Sequence, residues 1–393
     1  MALAPTSNAS AEENPIRVMV VDDSAIVRGL ITRILESDAE IKVVSSVGDG
    51  LMALNAITRH EVDVIVLDIE MPRMDGLTAL PKLIEARPGV KVVMASTLTR
   101  RNAEISMKAL DLGASDYIPK PTTSGGIHSG DEFKRELIEK VRVLANRAPE
   151  PKAADVAAAS PAPAARPAVA PREARPAAPA AAAPQAAGGK GITLRQRGAA
   201  RPEVIAVGSS TGGPQALQRV LGNLPDAVGL PIVITQHMPA TFTTILAEHI
   251  ARASGRSAKE AEEGGIIQPG HIYVAPGDYH MCLERDGSNI VVRLNQDPPE
   301  NFCRPAVDVM LRSVSKVYGA NVLVMILTGM GHDGLAGSQV IVENGGTIIA
   351  QDEESSVVWG MPGAVATNGV CSAVLPVGDL PNCIANIVKG AGA

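Results

Sequence analysis

The chain of 393 residues is long enough for two domains and a connector, and it is 46% hydrophobic but only 2% aromatic. Its cores must therefore be built from Val, Ile, Leu, Met and Ala, a composition suited to buried parallel sheets. The net charge of −6 and the pI near 5.7 argue against a nucleic-acid binder. Its four cysteines, Cys282, Cys303, Cys371 and Cys383, form no Cys-x-x-Cys pair, which argues against a zinc site or a disulfide framework.

The opening MALAPTSNASAEENP lacks the basic start and apolar core of a signal peptide, and it is expected to be a disordered tail. No apolar run reaches the ~18 residues of a bilayer span, so a cytoplasmic location is expected. From about Ile16 the chain alternates short β-rich runs, IRVMVV, IKVVSSV, VDVIVL, VKVVMAS and SDYIP, with amphipathic stretches. Those stretches are Ser24–Leu35, Gly50–Thr58, Leu77–Ala86, Ala103–Leu112 and Glu132–Leu144, and their apolar residues recur every three or four positions. Strands alternating with helices predict a doubly wound parallel sheet over residues 15–147.

Residues 148–200 are mostly Ala and Pro and read as a flexible, semi-extended linker, because Pro breaks helices and Ala buries little area. Residues 201–391 then repeat the α/β pattern on a larger scale. EVIAV, PIVIT, IYVAP, VLVMIL and GTIIA are the predicted strands, Gln215–Leu224 and Thr241–Arg252 are helical, and Met281–Glu300 has room for a hairpin.

Open parallel sheets bind ligands beyond the carboxyl ends of their strands. In the first domain those ends carry Asp22 and Asp23, then Asp68, Ser96 and Lys120. One at a time, such acidic residues are solvated turn formers. Together, three carboxylates, a hydroxyl and an ammonium make a site for Mg²⁺ and a phosphoryl group, with one aspartate as acceptor. MVVDDS, VLDIEMPRMDG and YIPKP resemble the response-regulator receiver family. That resemblance implies phosphorylation of Asp68, Mg²⁺ at Asp22, Asp23 and Asp68, phosphoryl sensing by Ser96 and Lys120, and a cis Lys120–Pro121 bond.

In the second domain EVIAV runs into Gly208-Ser209-Ser210-Thr211-Gly212-Gly213-Pro214, a G-x-S-x-G register centred on Ser210. A sharp strand-to-helix turn lifts such a serine clear, and the helix N-terminus supplies donors for an oxyanion. A phosphate cradle is the competing reading, but neither G-x-G-x-x-G nor a Walker motif is present. A serine nucleophile needs a base, and the base needs an acid. His237 follows PIVIT at a strand end, and Asp333 lies in the glycine-rich loop after VLVMIL. His332 beside it is the decoy, since adjacent side chains diverge. The order Ser, His, Asp differs from that of α/β-hydrolases.

VGSSTGGPQAL, ITQHMP, GHIYVAPGDYHM, RPAVDVM, ILTGMGHDG and VVWGMPGAV resemble the chemotaxis protein-glutamate methylesterase family, in which a receiver domain precedes the esterase. The resemblance implies Ser210 as nucleophile, His237 as base, Asp333 as its partner, and an oxyanion hole from the Met330 N–H and a donor near Thr211. It also implies glutamine deamidation, chemoreceptors as substrate and a chemotaxis histidine kinase as phosphodonor, with no cofactor for the hydrolase. Ser209 stands where the family has alanine, His332 where it has asparagine, and the linker is longer than usual. The alternative is a signalling adaptor whose hydrolase-like domain only binds.

Overall fold

A computed structural model describes residues 15–120, 127–145 and 191–390. The first domain is a five-stranded parallel sheet, β1 (Ile16–Val21), β2 (Ile41–Val47), β3 (Val64–Asp68), β4 (Lys91–Ser96) and β5 (Asp116–Pro119), in the order β2-β1-β3-β4-β5. It is wrapped by α1 (Ala25–Leu35), α2 (Gly50–Ile57), α3 (Gly76–Ala86), α4 (Arg100–Asp111) and α5 (Ile127–Leu144). Four of these helices start on side chains the sequence places for the purpose. Ser24, Asp49, Asp75 and Thr99 each accept a first-turn N–H. The strand order reverses between β1 and β3, so Asp22, Asp23 and Asp68 emerge at one crevice.

The second domain has a seven-stranded parallel sheet in which β6 (Val204–Ser209) and β12 (Val322–Ile326) are neighbours at its centre. On one side lie β7 (Ile232–Gln236), β9 (Ile272–Val274) and β8 (Ala258–Glu260); on the other, β13 (Thr347–Gln351) and β14 (Ala373–Leu375). The strands β8 and β14 escape sequence reading because three residues carry no alternation. Met281–Glu300 does hold a hairpin, formed by β10 (His280–Asp286) and β11 (Asn289–Asn295). The remaining helices are α6 (Gly213–Gly222), α7 (Phe242–Ser254), α8 (Val307–Tyr318), α9 (Leu335–Glu343), α10 (Met361–Thr367) and α11 (Leu380–Lys389). The central strands are buried end to end, as a sheet covered on both faces requires.

One boundary needs correction. Residues 191–200 were expected to belong to the linker, yet they lie along the second domain. Arg195 N–H donates to Cys371 O at 2.9 Å, Gly198 N–H to Thr347 Oγ1 at 3.1 Å, and Ile192 packs against the core. The apolar Ile192 gives this stretch something to bury, which the Ala/Pro tract lacks. The rest of that tract and Pro121, with its expected cis bond, lie outside the described residues.

The domains pack against each other through α4, β5 and α5 of the first. The Tyr117 and Phe242 rings stack with centroids 4.5 Å apart, and Arg100 pairs with Glu248 at 3.0 Å. Arg135 lies 4.1 Å over the Phe302 ring.

Candidate functional site

The turn from β6 into α6 depends on glycine. Gly212 has φ +74°, and a Cβ there would sit 2.6 Å from the Val357 side chain. At Gly213 a Cβ would collide with the Gln236 side chain. Pro214 fits the first turn of α6, where no N–H is needed. Ser210 N–H donates to Thr328 O at 3.0 Å, and Thr328 Oγ1 donates to Thr211 O at 2.9 Å. The loops after β6 and β12 are thereby tied together at the point where the strand order reverses.

Ser209 and Ser210 differ sharply. Ser209 is fully buried and donates to Gln236 Oε1 at 2.7 Å, whereas Ser210 stays partly exposed. The Gln236 amide nitrogen reaches Ser210 O at 2.9 Å and His237 O at 3.2 Å, so one side chain ties the backbones of the expected nucleophile and base.

His237 Nε2 lies 2.8 Å from Asp333 Oδ2, and its Nδ1 faces Cys303 Sγ at 3.4 Å. Asp333 is 2% exposed and accepts from Val307 N–H at 2.6 Å, Asp308 N–H at 3.0 Å and Gly334 N–H at 2.9 Å. Burial would raise its pKa, but His237 and those N–H groups hold the carboxyl well below the usual range. Burial likewise pulls His237 down, and the Cys303 sulfur and Asp333 carboxylate outweigh it, leaving the imidazole above its ordinary value. An ionised Asp333 fixes the tautomer, with Nε2–H donating to it.

The structure thus brings His237 and Asp333 together but leaves Ser210 Oγ without a hydrogen-bond partner among the described residues. Both imidazole nitrogens are engaged, one by Cys303. Hydrogen bonds of this kind commonly close only with substrate present. The Thr211 and Met330 N–H groups also have no partner among the described residues, as oxyanion donors require. His332 is exposed, and its side chain has no hydrogen bond to these groups among the described residues.

The first domain reaches this site directly. Thr211 Oγ1 donates to Asp116 Oδ2 at 2.7 Å, and Gln215 Nε2 donates to Ala114 O at 3.1 Å. Asp116 is neutralised by the buried Lys140 at 2.6 Å, which also donates to Tyr117 O at 2.8 Å. Met330, Val357 and Val358 join the apolar cluster of Phe133 and Leu137 on α5.

At the crevice of the first domain, Lys120 Nζ bridges Asp22 Oδ2 at 2.6 Å and Asp68 Oδ1 at 2.7 Å. Asp23 is exposed, and one oxygen each of Asp22, Asp23 and Asp68 lie within 4.8 Å of one another. Burial first, and the Asp22 charge with it, push Asp68 up to about 6 against the pull of Lys120. Three carboxylates facing one ammonium leave an excess of negative charge and hard oxygen donors, which fits a Mg²⁺ ion. Ser96 is buried at the end of β4 and accepts from Ser106 Oγ at 3.2 Å.

Sequence reading missed Asp116, Gln236, Asn301, Cys303 and Asp308. Asp308 lies in RPAVDVM and Gln236 in ITQHMP, quoted motifs in which neither received a role. Asp116, Asn301 and Cys303 carry no local signal, because each acts on a partner distant in the chain.

Two family models match the chain, one in each half. The CheB methylesterase family matches residues 205–384, and the response regulator receiver domain family matches residues 18–129. The chain is 56% identical to the protein-glutamate methylesterase/protein-glutamine glutaminase 1 of Paramagnetospirillum magneticum, over 94% of this chain and 96% of that one. It is also 56% identical to the protein-glutamate methylesterase/protein-glutamine glutaminase of Azospirillum brasilense, covering 96% and 93% respectively. Among solved structures, the Thermotoga maritima CheB methylesterase catalytic domain is 40% identical, with 48% of this chain and 99% of that one covered at a TM-score of 0.47.

Proposed function

Since the chain belongs to the CheB methylesterase family, with a receiver domain ahead of the catalytic one, we propose that it is a phosphorylation-regulated protein-glutamate methylesterase and protein-glutamine glutaminase. Its proposed substrates are glutamyl methyl esters and certain glutamines of chemoreceptors, and a chemotaxis histidine kinase in the cytoplasm is the phosphodonor. Among the described residues no helix is long and apolar enough to cross a membrane.

The observation that carries the esterase reading is the buried Asp333–His237 pair beside the Ser210 turn, with the Thr211 and Met330 N–H groups unpartnered among the described residues. In the proposed reaction Ser210 Oγ attacks the glutamyl carbonyl carbon while its proton passes to His237 Nδ1, which Cys303 must release. The carbonyl oxygen becomes an oxyanion held by the Thr211 and Met330 N–H groups. The bond to the leaving group then breaks, and methanol, or ammonia from glutamine, departs with the His237 proton. Water, deprotonated by the same imidazole, cleaves the acyl-enzyme to free carboxylate and serine. Asp333 stays ionised throughout and steadies the imidazolium.

In the receiver, Asp22, Asp23 and Asp68 would hold Mg²⁺, which supplies positive charge for a phosphoryl group. Asp68 is the proposed acceptor, and Ser96 and Lys120 are the residues that would answer it. The hydrogen bond from Thr211 to Asp116 supports an inhibitory reading of the unphosphorylated state. The test is methanol release from methyl-labelled receptor, with and without phosphodonor, by wild type and Ser210→Ala. A wild type that binds receptor yet releases no methanol would leave only the adaptor reading.

A further inference from the structure

We propose that Asn301 and Asp308 are positioning residues of the esterase reaction, a unit that locks the Asp333 carboxylate onto His237. The inference deepens the function proposed above and rests on it.

The turn Glu300–Cys303 closes on itself, with Glu300 N–H to Cys303 O at 3.1 Å and Cys303 N–H to Glu300 O at 2.9 Å. Both central residues are left-handed, Asn301 at φ +52° and Phe302 at φ +63°. Asparagine tolerates that region, but a bulky residue there is an outlier, and such backbone persists only where its surroundings dictate it. The left-handed turn delivers two of its side chains to the site. Cys303 reaches His237, and Asn301 reaches two carboxyls at once: its Nδ2 donates to Asp308 Oδ2 and to Asp333 Oδ1, each at 2.9 Å.

Asp333 and Asp308 are each 2% exposed. Two carboxyls buried side by side repel, and the amide nitrogen of Asn301, with its two hydrogens, serves both. Asp333 also satisfies the N-terminus of α8, whose cap residue, Ala306, has no side chain able to do so. Helix capping alone would need only one carboxylate. Asp308 turns its other oxygen to Gly337 N–H at 2.6 Å, at the start of α9. Asp333 is therefore held by the α8 N-terminus and by the Asn301 amide, and it cannot rotate off His237 without breaking bonds to both; Asp308, which shares that amide, is itself anchored to α9.

The charge is divided as well. Burial and the Asp333 charge push Asp308 up to about 6, while Asp333 stays low. Environments that push two carboxyls apart assign them different roles. The charged and titratable groups around Asp308 are Asp333, His237 beyond it, and Arg312 on α8, which is paired with Glu300 at 2.7 and 2.5 Å. Cys303 completes the set on the His237 side. Ionisation of Asp308 adds negative charge near the imidazole and strengthens its hold on a proton.

The experiment uses the full chain, phosphorylated with a small phosphodonor, and follows methanol release from methyl-labelled receptor against pH. Asn301→Gly removes the amide while glycine accepts the positive φ. The expected result is a kcat lower by on the order of 10- to 100-fold with KM little changed, since a slight misplacement is costly at a reacting centre. The Nε2–H proton resonance of His237 should also shift or vanish. Asp308→Asn is expected to move the acid limb of kcat/KM to lower pH. An unaltered kcat and resonance in folded Asn301→Gly overturns the proposal; should that variant not fold, an unmoved acid limb in Asp308→Asn does so. Failure of the underlying reading looks different: wild type would release no methanol, or Ser210→Ala would release as much as wild type.

Discussion

Replacing Thr211 by valine isolates one of the contacts through which the receiver grips the esterase, the one nearest the proposed nucleophile. The two side chains have nearly the same shape, so the change removes one hydroxyl and leaves the backbone N–H, the proposed oxyanion donor, in place. That hydroxyl donates to the buried Asp116 at 2.7 Å, and Lys140 still satisfies the carboxylate after the change. A hydrogen bond to a charged acceptor contributes about 1.5–3 kcal/mol. At about 1.4 kcal/mol per tenfold, the docked state should weaken by roughly 10- to 150-fold. Unphosphorylated Thr211→Val should therefore release methanol from labelled receptor faster than the unphosphorylated wild type. The ceiling is the rate of a fragment spanning 191–393, which retains the residues that pack onto the catalytic domain. Within that fragment the substitution should change nothing. If the fragment outpaces the whole chain but Thr211→Val does not, the hydroxyl contributes nothing to the block. If fragment and whole chain have equal rates, the receiver is no inhibitor at all.

Ser210→Ala should abolish esterase activity, while Ser209→Ala should keep it and lose about 1 kcal/mol of stability with the bond to Gln236; a serine-trapping reagent found on Ser209 by peptide mass analysis would contradict this. His237→Gln should be inactive and the exposed His332→Asn mild, and equal losses would leave the base unassigned. Because Asp333 and Cys303 raise His237, the acid limb of kcat/KM should lie above the ordinary value of ~6.5. The stabilisation from that pairing is complete below ~6.5 and fades as pH rises through the raised folded value, which chemical denaturation across pH would register. Asp68, raised to about 6, has the opposite consequence: folding stability is lost as pH climbs from the unfolded ~3.8 through that value. Asp68→Asn should then be more stable than wild type by about 1–3 kcal/mol above pH ~7, level with it below ~4, and deaf to phosphodonor.

What the sequence determines here is periodic or local. Val-rich runs such as VDVIVL bury on both faces and can only be central strands, and the stretches between them carry helical stripes. Acidic residues at those strand ends reach one crevice because parallel order sends every carboxyl end to the same edge. The Ser210 turn is legible because glycine takes φ +74° at position 212 without strain and leaves room for the Val357 side chain, which a Cβ would meet at 2.6 Å. The remainder depends on the tertiary structure. Strands β8 and β14 exist because a sheet already formed offers them an edge. Thr211 meets Asp116 across 95 positions, and Asn301 meets Asp333 across 32. A polar side chain in a loop carries no periodicity, and its role is set by the partner that burial obliges it to find. The same holds for His237 Nδ1. Its place in the chain marks it as the candidate base, but only packing shows that Cys303, and not Ser210, faces it in the docked state.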